Sequence, residues 1–138
     1  MKLPTVLAIL FLFGCDAKAE SVLENSPQVI ASLESLEARD KFDEDVSSFY
    51  PGAPSESQRL KAETILNRAI GSLIKFGKPG PSEEQFWQVM EIAARAYAVM
   101  DSEEMDRALS YMEEIMDIYG IQSSGGRLNR WRYGFDPS

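Results

Sequence analysis

Apolar residues recur at three- and four-residue intervals in four separate stretches of this chain, and no stretch alternates apolar and polar residues convincingly. That spacing lays each set along one side of an α-helix. Val29, Ile30, Leu33 and Leu36 form the first stripe, behind Ser26-Pro27, an N-cap followed by proline at the first helical position. This helix is expected to end near Lys41. A second helix, expected over 56–76, carries Leu60, Ile65, Leu66, Ala69, Ile70, Leu73 and Ile74 on a wide apolar face and stops at Gly77. Gly71 inside it costs about 1 kcal/mol relative to alanine, which a close helix–helix approach would explain. Lys78-Pro79-Gly80-Pro81 reads as a plain loop.

Ser82-Glu83-Glu84-Gln85 is a capping box that opens a third helix, with Phe86, Met90, Ala93, Tyr97 and Met100 in one stripe and Glu91 and Arg95 spaced for a surface ion pair. Asp101, with Glu104 three residues on, is expected to cap a fourth. Its inward residues are Met105, Leu109, Met112, Met116 and Tyr119, and it ends at Gly120-Ile121. The methionines of these two stripes suit a core, with an adaptable binding groove as the lesser alternative. Short connections between amphipathic helices predict an all-α fold: a small antiparallel bundle of about four helices, with an irregular C-terminal tail packed on it.

The N-terminus reads differently. Lys2 precedes an apolar run too short to span a bilayer, and the run ends Leu12-Phe13-Gly14-Cys15. This resembles the bacterial lipobox, with a bulkier residue than usual at Phe13. Residues 1–14 are then a signal peptide, Cys15 is the lipidation site, 15–26 form a polar tether, and 27–138 form the helical domain. A single cysteine in a secreted chain has no disulfide partner, and lipidation accounts for it. By resemblance to the enterobacterial sorting rule, Asp16 favours the periplasmic face of the inner membrane.

Composition excludes more than it assigns. The chain has 14 Lys and Arg, 22 Asp and Glu, and no histidine; loss of Lys2 with the leader takes the net charge from −8 to about −9. Such a surface repels nucleic acid and suits a basic protein partner. Without histidine there is no Ser-His-Asp or Cys-His machinery and no histidine zinc motif. No dinucleotide, phosphate or calcium loop is present, so no cofactor is expected. Asp43-Glu44-Asp45 lacks the alternation of a calcium loop and reads as a solvated turn or helix start, with no metal expected. Tyr50-Pro51-Gly52-Ala53 fits a type II turn.

The tail, residues 122–138, concentrates three arginines and three aromatics in an otherwise acidic chain. Arg127, Arg130, Trp131, Arg132 and Tyr133 have the composition of a binding hot spot. Two readings stay open: these residues form a recognition surface, or Leu128, Trp131 and Phe135 dock on the bundle as a short helix and lid while the arginines pair with acidic side chains.

Phe49-Tyr50-Pro51-Gly52, residues 111–121 (YMEEIMDIYGI), and the closing Ser123-Ser124-Gly125-Gly126, Leu128-Asn129, Trp131 and Tyr133-Gly134-Phe135-Asp136-Pro137 together resemble a bacterial domain-of-unknown-function family of small secreted or lipid-anchored proteins. The likeness runs over about residues 26–138. It implies a compact helical envelope domain and brings no activity.

The function expected is therefore a membrane-tethered, non-enzymatic binding or accessory domain of the bacterial cell envelope. The alternatives are an immunity protein neutralising a periplasm-delivered toxin and, more remotely, a carboxylate-based cell-wall hydrolase using Glu113, Glu114 and Asp117 near Arg127.

Overall fold

The computed structural model describes residues 19–137. Cys15 and the leader lie outside the described residues. Among the described residues five helices follow in order: α1 (Pro27–Ala38), α2 (Glu56–Lys75), α3 (Glu83–Tyr97), α4 (Ser102–Ile118) and α5 (Arg127–Tyr133), with a 3-10 turn at Val46–Ser48 in the connector after α1. Among the described residues there is no strand, only the isolated bridges Val22–Ser82 and Asp45–Tyr50.

The capping residues act as their chemistry dictates. Ser26 and Ser55 accept from the third helical N–H, and Ser82 with Gln85 closes a complete capping box. At the end of α4 the Ile121 N–H reaches the Met116 carbonyl (2.9 Å) and the Gly120 N–H reaches Asp117 (3.0 Å), a Schellman stop with Gly120 at φ +72°. Leu33, Leu66, Ile70, Leu73, Phe86, Met90, Tyr97, Met112 and Ile115 fill the space between the four long helices. The methionines of α3 and α4 thus belong to the core.

Several local expectations give way to long-range partners. The first helix ends at Ala38, short of Lys41, because Lys41 is itself buried and its ammonium donates to the carbonyls of Leu36, Glu37 and Arg39. Those are last-turn carbonyls that a helix cannot satisfy internally. Burial lowers the Lys41 pKa. Glu104 does not complete a capping box, and Asp101 makes no side-chain cap bond. Leu60 is 48% exposed, off the core. Gly52 has the positive φ of a type II turn, but the Ala53 N–H goes to the Phe42 carbonyl rather than closing the turn.

Residues 78–81 are not a plain loop, nor are residues 21–25 a free tether. The Leu23 N–H bonds the Pro81 carbonyl (2.8 Å), Asn25 bonds Pro79 (2.7 Å) and Glu83 bonds Ser21 (3.0 Å), so the entering chain pairs with the α2–α3 connection. The approach is close enough that a side chain on Gly80 would collide with the Leu23 carbonyl.

Gly71 has no such excuse. A Cβ there would meet only the Glu37 carboxylate at 3.7 Å, an ordinary contact, so the close helix approach expected for it is absent. Gly71→Ala should therefore raise stability by about 0.5–1 kcal/mol through helix propensity alone, read as a higher urea midpoint with unchanged slope.

Candidate binding surface

Asp45, at the head of the 3-10 turn, organises that turn. Its carboxylate accepts from the Ser47 N–H (3.1 Å) and from the hydroxyls of Ser47 (2.6 Å) and Ser48 (2.9 Å). The backbones of Asp45 and Tyr50 exchange two hydrogen bonds, at 2.9 and 3.0 Å, which closes the loop. The Ser47 and Ser48 hydroxyls, with Arg107, hold the Asp45 carboxyl down at about 2. Arg107 of α4 clamps the loop from below, donating to Ser48 Oγ (3.1 Å) and pairing with Asp45 (3.1 Å). Its guanidinium lies over the rings of Tyr50 (5.2 Å) and Tyr111 (5.1 Å).

At the tip of this loop sits Phe49, 94% exposed and at φ +57°. The left-handed region costs an L-residue about 1–2 kcal/mol. Phe42 is also left-handed, at φ +64°, but it is fully buried, packed against Tyr97 (5.7 Å) and edge-on to Tyr111 (5.2 Å), and its N–H finds the Tyr111 hydroxyl. Burial offsets the strain at Phe42. At Phe49 the left-handed residue ends the 3-10 turn, its N–H bonding the Val46 carbonyl (3.3 Å), but no burial of the ring offsets the strain.

Phe49 walls a groove of about 230 Å³ with Ser48, Tyr50, Pro51 and, from α4, Glu103, Asp106, Arg107 and Ser110. Under it Glu104 is buried and accepts from the Tyr50 hydroxyl (3.1 Å). Burial raises the Glu104 carboxyl above its usual range. A carboxyl raised on folding contributes stability below its unfolded pKa and loses that contribution as pH rises through its folded pKa. Wild-type urea midpoints should therefore fall as pH climbs from the ordinary carboxylate range to neutral. The Glu104→Gln midpoint should fall less, and parallel declines would contradict the assignment.

The tail meets this groove from the other side. Arg132 bonds Asp106 through Nε and Nη2, and its guanidinium lies 5.0 Å from the Tyr133 ring centre. Tyr133 (56% exposed) and Phe135 (60%) are neighbours at 6.5 Å. Exposed aromatics thus flank the Asp106–Arg132 pair, Phe49 on the groove that Asp106 lines and Tyr133 with Phe135 beyond Arg132.

The five tail residues divide between two sides of α5. Arg127 and Trp131, four apart, share the face toward α3: Arg127 lies 4.5 Å over the Trp87 ring and Trp131 packs edge-on against it at 6.3 Å. Leu128 is buried beside them. Arg132 faces α4, and Tyr133 is open to solvent. Arg130 is exposed and donates to the Gly125 carbonyl (3.0 Å). The tail therefore docks as a helix on Leu128 and Trp131, but Phe135, expected to pack with them, stays outside. Gly125 and Gly126 are both left-handed, and a side chain on Gly126 would strike Asp136, which folds back over the start of α5 and accepts from Asn129 (3.0 Å).

Of the acidic residues considered for hydrolysis, Glu114 pairs with Arg39 (2.7 Å), and Arg127 sits on Trp87. Among the described residues no cluster of three or more acidic side chains is placed to hold a metal. No helix among them is long and apolar enough to cross a membrane. Phe49 was visible in the sequence only as part of a family motif; its exposure and strain are not.

Residues 24–136 match the model of a family described as a domain of unknown function, DUF4844. Among solved structures, a DUF3571 family protein from Acinetobacter baumannii AYE is similar at a TM-score of 0.68 and 27% identity, over 77% of this chain and 89% of that one. No curated protein matches. These matches indicate no enzyme family.

Proposed function

The chain belongs to the DUF4844 family, and we propose that it works as a non-enzymatic binding module of the bacterial cell envelope, held at a membrane by lipid on Cys15, with a protein partner seated on the exposed aromatics Phe49, Tyr133 and Phe135. The carrying observation is Phe49, a large apolar side chain both strained and solvent-exposed on a rigid loop. Phe49 ends the 3-10 turn, a task glycine performs without strain, so a strained and exposed phenylalanine there points to a functional contact. A preorganised aromatic anchor loses little entropy when it enters a partner's pocket. Around it, the Arg107–Asp45 and Arg132–Asp106 pairs supply a polar rim already neutralised within the chain. The acidic surface beyond steers a basic partner.

The test is photo-crosslinking in bacteria from a reactive residue placed at Phe135 of the full chain, with Ser32 on the outer side of α1 as the control position. The reading expects one discrete adduct from position 135 and none from position 32. It also expects Cys15→Ser to move the chain out of the membrane fraction. Equal adducts from both positions, or turnover of cell-wall glycan that Glu113→Gln or Glu114→Gln abolishes, would count against it.

A further inference from the structure

The groove beside Phe49 has a charge that the chain leaves uncompensated. Of the charged side chains lining it, Asp106 pairs with Arg132 and Arg107 pairs with Asp45 (3.1 Å). Glu103, exposed in the first turn of α4, has no basic partner among the described residues. The Phe49 ring walls the same groove. Rings elsewhere carry the chain's own arginines, Arg107 over Tyr50 and Tyr111 and Arg127 over Trp87. Phe49 is 94% exposed and has no cation over its ring among the described residues.

Size and chemistry together narrow the occupant. At about 230 Å³ the groove is smaller than the roughly 300–1,000 Å³ of a small-molecule site, and it suits a single long side chain of a partner. An acidic side chain entering it meets the Glu103 carboxylate and is repelled. An aliphatic one covers Phe49 but shuts the Glu103 charge away from water with no partner, which is costly. A lysine or arginine satisfies both walls, since its apolar stem lies along a ring while its charged head stays at a polar group. Its cation is also attracted to the face of the ring itself.

We propose that this groove takes one basic side chain of the partner, with its stem on the Phe49 ring and its charged head on the Glu103 carboxylate. The inference rests on the reading that a protein partner sits at Phe49, and it assigns the chemistry that partner presents there. Glu103 is then a specificity residue of the contact, distinct from the acidic surface that acts only through net charge.

The test adds charge variants to the full chain that carries its photoreactive residue at position 135, with adduct yield in bacteria read at low expression. Glu103→Gln removes an exposed pair and should lower the yield about two- to fivefold. Glu103→Lys sets like charges together and should lower it at least about tenfold. Glu34→Lys changes the net charge equally from an exposed position on α1 and should leave the yield unchanged. Glu103 also favours the positive end of α4, so circular dichroism and the urea midpoint of each purified variant separate lost binding from lost folding. No adduct from the chain without charge variants would remove the partner at Phe49, and this inference with it. An adduct kept at full yield by Glu103→Lys, or reduced equally by Glu34→Lys, would overturn this inference alone. So would a loss with Glu103→Lys and none with Glu103→Gln, because a new cation can repel where no pair existed.

Discussion

Asn25→Ala should cost about 2–4 kcal/mol of stability, from one buried and two part-buried hydrogen bonds lost at about 1–3 kcal/mol each with partial relaxation. The Asn25 amide donates to the carbonyls of Leu73 and Gly77, both at 3.0 Å, and its oxygen accepts from the Tyr119 hydroxyl at 2.7 Å. One side chain at 1% exposure thus ties the last turn of α2, the end of α4 and the entering chain together. Alanine leaves two carbonyls and a phenol without this partner, the Leu73 carbonyl in the interior and the other two groups at its edge. Against the total of about 5–15 kcal/mol typical of a small domain, the loss is large. Asn25→Asp should do no better, because it turns a carboxylate on two carbonyl oxygens. Urea denaturation of both variants beside Glu24→Ala, an exposed neighbour, measures this. A loss below about 1 kcal/mol in Asn25→Ala would mean the clamp is not formed in solution.

The residues that were legible in the sequence are those whose partners are close in sequence. Ser26, Ser82 with Gln85, Gly77 and Gly120 act within a turn of themselves, and the stripes on α3 and α4 follow from helical spacing alone. Asn25 read as tether because its partners are 48, 52 and 94 residues away. Glu104 has the position and chemistry of a capping residue, yet a tyrosine 54 residues upstream holds it in the interior. Lys41 has the look of an ordinary basic residue at a helix end and instead caps from inside. In each case a local pattern competed with a long-range hydrogen bond, and burial favoured the bond that left nothing unsatisfied.

The candidate site divides in the same way. Arginines beside aromatics in the tail are visible as composition. That Arg127 and Trp131 turn to Trp87 while Arg132 turns to Asp106 depends on residues 127–133 forming a helix, in which positions four apart share a face and the next residue does not. Phe49 gave no signal of strain, since φ is a property of the folded loop.

Phe49→Gly separates the two things a side chain can do. Glycine adopts φ +57° without strain, so the variant gains up to about 1–2 kcal/mol from relief of the left-handed conformation and gives back about 0.5–1 kcal/mol as extra freedom of the unfolded chain. Stability should be unchanged or slightly higher. Phe42→Gly, equally left-handed but buried, should lose about 3–5 kcal/mol instead, the cost of emptying a core site. Loss of an aromatic anchor at a binding surface costs about 2 kcal/mol or more, which is about a thirtyfold weaker complex.

The decisive measurement is the affinity of the crosslinked partner for wild type and Phe49→Gly by titration calorimetry, with the denaturation midpoint taken on the same preparations. A midpoint at or above wild type with affinity reduced at least about thirtyfold is the result expected of a binding anchor. Unchanged affinity, or a fall in stability large enough to account for lost binding, would show that Phe49 serves the fold and that the recognition surface lies elsewhere.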